Sequence, residues 1–148
     1  MRKITNITGV VMIMCYIAFL AICWKTFPNE VPTHFSAVGV ADEFGSKTSL
    51  FIEPAVMLGL FLLLAIVEHF PKIWNIPVEV TADNEEDILK TCYGMFGIMK
   101  ISVILICAFS GFMCIYKGFP SWPMLMMVVV ILFTIAVSVY RIYKCRLD

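Results

Sequence analysis

The chain has 148 residues, of which 61% are hydrophobic and 15% are charged, and its mean hydropathy is +0.91. Soluble domains are about 45–50% apolar and about 25% charged, and one of this size could not bury so much apolar surface. These figures exclude a soluble enzyme, a disordered chain and a secreted disulfide scaffold, and they indicate an integral membrane protein. The 11 basic and 11 acidic residues cancel, so no nucleic-acid partner is expected.

Four apolar stretches reach the length of about 20 residues that a helix needs to cross the hydrocarbon core of a bilayer. They cover residues 4–24, 50–70, 92–117 and 122–142. Only helices satisfy their own backbone hydrogen bonds over such lengths in lipid. The sequence therefore predicts a single all-α domain over 1–148, an antiparallel bundle of four transmembrane helices with the lipid bilayer as its surroundings.

Orientation follows from the lysines and arginines next to the predicted spans, since these residues are enriched on the cytoplasmic side. With four spans, both termini share a side with the loop 71–91, and that side has seven basic residues against three on the other. The seven are Arg2, Lys3, Lys72, Lys90, Arg141, Lys144 and Arg146, and the three are Lys25, Lys47 and Lys117. We expect a multi-pass protein of the bacterial inner membrane with both termini in the cytoplasm and the loop 25–49 outside.

The outer loop 25–49 has the composition of an ordered segment. Pro28 and Pro32 favour extended backbone, and Gly39 suits a turn. Polar residues that can cap a turn or the second helix follow, and apolar residues are interleaved with them. The polar ones are Asp42, Ser46 and Thr48, and the apolar ones are Val31, Phe35, Val38, Val40 and Phe44. We expect this loop to fold back onto the helix ends.

Seven residues of this loop resemble the signature P-x-H-[FW]-x-x-x-G-x-x-D-x-x-x-S-K of a bacterial membrane family catalogued as domain of unknown function 1648. They are Pro32, His34, Phe35, Gly39, Asp42, Ser46 and Lys47. Residues 75–84 resemble the family's second motif, N-x-P-V-x-[IV]-T-x-x-N, and Lys100 lies where the family tends to place a lysine. The resemblance covers about 10–115. Ser36 departs from the asparagine that usually follows the aromatic residue.

The resemblance implies a membrane protein without a defined activity. The same domain forms the N-terminal part of larger immunity proteins, which protect a sporulating bacterium from its own secreted toxin and signal the presence of that toxin. Immunity or signalling is therefore an analogy between proteins of different architecture. It makes the seven loop residues candidate ligand-binding residues for a peptide or lipid.

The polar loop residues leave three interpretations open. In the structural one, His34 donates to a loop carbonyl, Asp42 caps a turn, and Lys47 meets a headgroup phosphate or pairs with Asp42. In the second they bind a peptide, lipid or small ligand. In the third, His34, Asp42 and the nearby Glu30 and Glu43 bind a metal ion, although their spacing is not that of a metal site. We predict no catalytic residues, no metal and no cofactor.

Glu53, Glu68 and Lys100 are the candidate polar residues inside the membrane, since each lies within a predicted span. Lys100 lies about 12 Å from the cytoplasmic end of its span, where insertion of a lysine costs up to about 2.5–3.5 kcal/mol. We expect it to extend toward Glu68, or toward Glu53 if the outer half is hydrated. The alternative is that it snorkels to lipid phosphate. Glu53 is expected in the first turn of the second helix, where an acid suits the helix dipole.

The third span is expected to be the central packing helix, because its small residues let other helices approach closely. The fourth is expected at the periphery. Asp83 and Glu86 predict a capping box before the third span. Functionally, we expect a non-enzymatic receptor, sensor or immunity-type protein. A small oligomeric transporter using the intramembrane charges and a structural accessory subunit are the alternatives.

Overall fold

The computed structural model describes residues 2–36, 39–116 and 120–145. Within them the chain forms four long helices and one β-hairpin. These are α1 (Arg2–Cys23), β1 (Glu30–Phe35), β2 (Ala41–Ser46), α2 (Ile52–His69), α3 (Glu85–Ile115) and α4 (Trp122–Lys144). A short 3-10 helix, Lys47–Phe51, leads into α2. Each long helix is apolar and long enough to cross a membrane, in agreement with the four predicted spans.

The helices run up and down in sequence, and α3 lies at the centre. It packs against α1, α2 and α4, whereas α4 packs chiefly against α3. Both expectations for these helices are confirmed. We call the end of the bundle that holds Arg2, His69, Glu85 and Lys144 the terminal end, and the opposite end the hairpin end.

The basic residues divide between these ends. Those described at the terminal end are Arg2, Lys3, Lys72, Lys90, Arg141 and Lys144, whereas Lys25 and Lys47 lie near the hairpin. Arg146, predicted on the cytoplasmic side, and Lys117, predicted on the outer side, lie outside the described residues.

The start of α3 differs from the predicted capping box. The helix begins at Glu85, and Asn84, not Asp83, is the N-cap residue. The Asn84 side chain closes the preceding turn, because its Oδ1 accepts from the Thr81 N–H (2.9 Å) and its Nδ2 donates to the Glu79 carbonyl (3.1 Å). Three acids in the first turn of α3 still lie favourably against the positive end of the helix dipole.

The hairpin corrects the prediction of an all-α fold. Strands β1 and β2 pair antiparallel, from Glu30 opposite Ser46 to Phe35 opposite Ala41, with irregular register around His34. In the sequence, Pro32 predicts extended backbone but does not indicate a strand, because proline lacks the N–H that pairing in a sheet requires. A two-stranded sheet has only edges, and an edge strand tolerates such a residue.

The core is concentrated at the hairpin end. Leu20 of α1, Val31 of β1 and Met57 of α2 are fully buried together with Leu50 of the 3-10 helix. A smaller cluster at the terminal end joins α3 to α4 and the preceding loop through Ile88, Cys92, Ile142 and Val78. The hairpin is thus continuous with the main core.

Candidate functional site

The inner face of the hairpin is attached to the bundle. Val31 is 0% exposed, and Phe35 packs against the same core cluster. At the far end of β2, the Ser46 hydroxyl accepts from the Thr48 N–H (3.4 Å) and caps the 3-10 helix. Lys47 Nζ lies 5.1 Å from the centre of the Trp24 ring and 3.5 Å from the Trp24 carbonyl. These contacts fix the hairpin relative to α1 and α2.

The turn of the hairpin requires a glycine. Gly39 has a φ of +79°, a left-handed backbone conformation that residues with a side chain rarely adopt. Its N–H donates to the Ser36 carbonyl (2.8 Å), while the Ser36 N–H donates to the Val40 carbonyl (2.8 Å). A Cβ at Gly39 would also clash with Ser121, the residue before α4. The turn therefore lies against the start of α4. Val38, predicted to pack within this loop, lies outside the described residues.

The outer face carries an ion pair. His34 Nδ1 and Asp42 Oδ1 lie 2.6 Å apart, with 61% and 46% of their side chains exposed. The hydrogen bond to Asp42 raises the pKa of His34 above its usual 6.5, and the charge of Asp42 acts in the same direction. The structural interpretation of the sequence predicts that His34 donates to a loop carbonyl, and that Asp42 caps a turn or pairs with Lys47. The structure instead joins His34 to Asp42, and Lys47 to Trp24.

The seven predicted ligand-binding residues thus separate into two groups. His34 and Asp42 face outward, and the other five contribute to the hairpin's own structure. Those five are Pro32, Phe35, Gly39, Ser46 and Lys47. Among the residues described, no group of three or more His, Cys, Asp or Glu side chains is arranged to hold a metal ion.

A second polar site lies inside the bundle. Lys100 of α3 and Glu68 of α2 are 0% and 1% exposed, and their charged groups lie 2.7 Å apart. Lys100 Nζ also donates to the side-chain oxygen of Asn6 on α1. Its ammonium group lies 5.9 Å from the centre of the Phe61 ring. The predicted approach of Lys100 to Glu68 is present, and the lysine does not snorkel to the surface.

Asn6 is a member of this site that the sequence analysis missed. It lies inside the predicted first span, and an amide side chain within a span often hydrogen-bonds to a neighbouring helix. That signal was available, but the sequence does not give the rotation of α1 that directs Asn6 toward Lys100. The site therefore links three helices through one ammonium group.

Glu53 belongs to a separate cluster at the hairpin end. It lies in the first turn of α2, as predicted, and its Oε1 accepts from the Cys114 thiol of α3 (3.9 Å). Its Oε2 and the hydroxyl of Tyr16 are buried and have no hydrogen-bond partner among the described residues. Both groups converge on Gly111, where a Cβ would clash with the Tyr16 hydroxyl and lie 3.6 Å from the Glu53 carboxyl carbon. Close approach of three helices thus depends on this glycine.

The comparison with protein-family models concerns the hairpin half of the chain. The family model described as "Domain of unknown function (DUF1648)" matches residues 11–58. That range covers most of α1, the whole hairpin and the first turns of α2. It supports the family predicted from the loop motif, but it ends before the second predicted motif at 75–84 and before Glu68 and Lys100.

The chain is also similar to an uncharacterized protein of Archaeoglobus fulgidus, with 29% identity over 85 residues. The match covers 47% of this chain and 46% of that protein, so the chain spans about half the length of this curated relative. No solved structure matches the chain.

Proposed function

We propose that this chain is a non-enzymatic receptor of the bacterial inner membrane whose hairpin binds an extended peptide outside the cytoplasm. The observation that carries the proposal is the exposed His34–Asp42 pair on a hairpin whose opposite face is buried in the core. The excess of basic residues at the terminal end supports a hairpin that faces away from the cytoplasm.

The anchored face favours binding by reducing its entropic cost. A hairpin held by Val31, Gly39 and Lys47 loses little conformational freedom when a ligand arrives, which leaves more of the contact energy for affinity. Besides the charged pair, the hairpin exposes Phe44 of β2 and Val40 of the turn, whose side chains are 55% and 62% exposed. Exposed charged and apolar groups on one hairpin suit a peptide better than a simple ion.

The strands suggest the mode of binding. β1 makes the hairpin's contacts with α3 and the 3-10 helix, and β2 is the outer strand. An extended peptide that adds to a strand edge gains main-chain hydrogen bonds there and places alternate side chains against the exposed residues. Asp42 on β2 would attract a basic side chain of the peptide. That side chain would then replace His34 as the partner of the Asp42 carboxylate. A secreted toxin peptide is one such ligand, by analogy with the immunity proteins that the loop motif resembles.

The test uses the chain in nanodiscs against a random-peptide phage library. Peptides selected on the wild type are expected to bind Asp42→Ala about tenfold more weakly, the usual effect of losing a charged hydrogen bond. Glu79→Ala, which removes an exposed carboxylate near the terminal end, serves as the matched control and keeps full affinity. Peptides methylated on alternate backbone nitrogens should lose binding. Selection of no peptide above empty nanodiscs, or equal affinity for both variants, would refute the proposal.

A small transporter is the second candidate, because Glu53 and Glu68 each keep one buried carboxylate oxygen without a partner among the described residues. Such oxygens at opposite ends of α2 are suited to taking up protons. Proton flux into liposomes that is lost in Glu53→Gln, with the unfolding temperature unchanged, would favour this function. Absence of both peptide binding and flux would favour the structural accessory subunit.

A further inference from the structure

An open groove of about 890 Å³ runs along the terminal half of the bundle. Its floor is formed by α3, where Gly94 and Gly97 leave little bulk. Phe133 and Val137 of α4 form one wall, and Thr5 of α1 borders the other side. The volume lies within the range of about 300–1,000 Å³ typical of small-molecule sites.

The mouth of this groove is positively charged. Lys90 of α3 and both Arg141 and Lys144 of α4 line it, with Asp87 as the one acid among its lining residues. Arg141 and Lys144 are three residues apart and so share one face of α4. Lys90 faces them from α3. Three cations from two helices thus surround an opening whose deeper lining carries no charge.

We propose that this groove is a binding site for an anionic phospholipid. The phosphate would lie between Lys90, Arg141 and Lys144, and one acyl chain would extend along the glycine floor of α3 toward Phe133. Basic pockets between transmembrane helices are the usual sites for anionic headgroups, and each nearby cation contributes about tenfold or less in affinity. Ser138 lines the groove one turn below Arg141 and is buried, which places its hydroxyl at the depth of the ester oxygens.

Charge argues for a lipid rather than a second copy of the chain. A symmetric dimer formed through this face would bring the three cations of each copy close to those of the other, since a two-fold interface buries the same patch twice. Like charges in a desolvated interface repel. An anionic headgroup instead neutralises them, and the bilayer supplies the acyl chain. This site lies away from the hairpin and is independent of the receptor function proposed above.

The experiment measures lipid retention by native mass spectrometry after purification from membranes that contain phosphatidylglycerol and phosphatidylethanolamine. We expect the wild type to retain phosphatidylglycerol preferentially. The triple variant Lys90→Gln, Arg141→Gln, Lys144→Gln should bind added phosphatidylglycerol up to about a hundredfold more weakly. The matched control, Lys3→Gln, Lys25→Gln, Lys72→Gln, removes the same charge from exposed positions outside the groove and should bind as the wild type does.

A second variant tests the groove separately from its charges. Thr134→Trp fills the deeper part of the groove and leaves the three cations at the mouth intact. It should reduce phosphatidylglycerol binding. Binding of phosphatidylcholine, a lipid without net charge, should stay weak in the wild type and in every variant. The Thr134 hydroxyl donates to the Val130 carbonyl of its own helix, so its replacement removes a hydrogen bond within α4 and not one that joins two helices. Equal losses in both triple variants, or full binding by Thr134→Trp, would overturn the proposal. A dimer that dissociates on groove substitution would assign the groove to a second copy and also overturn it.

Discussion

The His34–Asp42 pair on the hairpin and the Lys100–Glu68 pair inside the bundle have nearly equal lengths, 2.6 Å and 2.7 Å. Their surroundings are opposite, since the first pair is largely exposed and the second is almost completely buried. Water and salt weaken an exposed pair and can replace either partner. A buried pair has no such substitute, so each charge depends on the other. The distance between charges therefore says little about what a pair contributes.

This difference assigns different roles to the two regions. Lys100 and Glu68 join three helices together with Asn6, and the two charged side chains are too deeply buried for a ligand to contact them. His34 and Asp42 can give up their contact with each other and bind a ligand instead. This costs little stability, because the hairpin beneath them is held by other residues. The buried pair is suited to stability and orientation of the bundle, and the exposed pair to recognition.

The largest expected effect is that of Lys100→Met. It leaves Glu68 as an uncompensated buried charge and Asn6 without its partner, and loss of one member of a buried pair costs about 3–5 kcal/mol. We expect the free energy of unfolding to fall by that order when the protein is titrated with a denaturing detergent in mixed micelles.

Two controls separate this effect from general loss of charge. Lys72→Met removes an exposed lysine near the same end and should change stability little. The double variant Lys100→Met, Glu68→Leu should recover much of the loss, because an apolar pair of similar size often replaces a buried ion pair without penalty. A Lys100→Met protein as stable as the wild type would contradict the structural role of the pair.

The sequence predicts those features of the fold whose evidence lies in a single type of residue. The four spans followed from hydropathy, and the approach of Lys100 to Glu68 followed from the cost of a lone charge in lipid. Asn6 was missed because its role depends on how α1 is rotated against α3, which composition does not reveal. The Tyr16, Glu53 and Gly111 cluster was missed for the same reason, since it requires three helices to meet.

The hairpin was recognised as ordered but not as a sheet. Its strands are short, the first contains Pro32, and the register is irregular around His34. Such strands give a weak alternating pattern, and their pairing is set by contacts with the bundle as much as by their own residues. The order of the loop was therefore predictable from its glycines, prolines and apolar residues, whereas its hydrogen-bonded pairing was not.

A smaller effect distinguishes the two faces of the hairpin. Val31→Ala removes two buried methyl groups from the core and should reduce stability by about 2 kcal/mol. Val40→Ala is the same substitution at a position that is 62% exposed, and it should have almost no effect. Thermal unfolding in detergent compares the two variants. Equal unfolding temperatures would mean that the hairpin is not anchored through Val31, which would weaken the case for a fixed binding surface.

The smallest expected effect is the pH dependence of the exposed pair. Because the folded state raises the pKa of His34, the pair's stabilisation is complete below the usual pKa of 6.5 and is lost as pH rises through the raised value. The unfolding temperature of the wild type should therefore exceed that of Asp42→Asn more at pH 6 than at pH 9. Nuclear magnetic resonance titration of the His34 ring gives the direct measurement. Asp42→Asn should lower its pKa more than Glu43→Gln does, because Asp42 supplies both the hydrogen bond and the nearer charge. Equal shifts in the two variants would mean that the 2.6 Å contact does not persist in solution, and that the outer face offers a ligand two separate side chains instead of a pair.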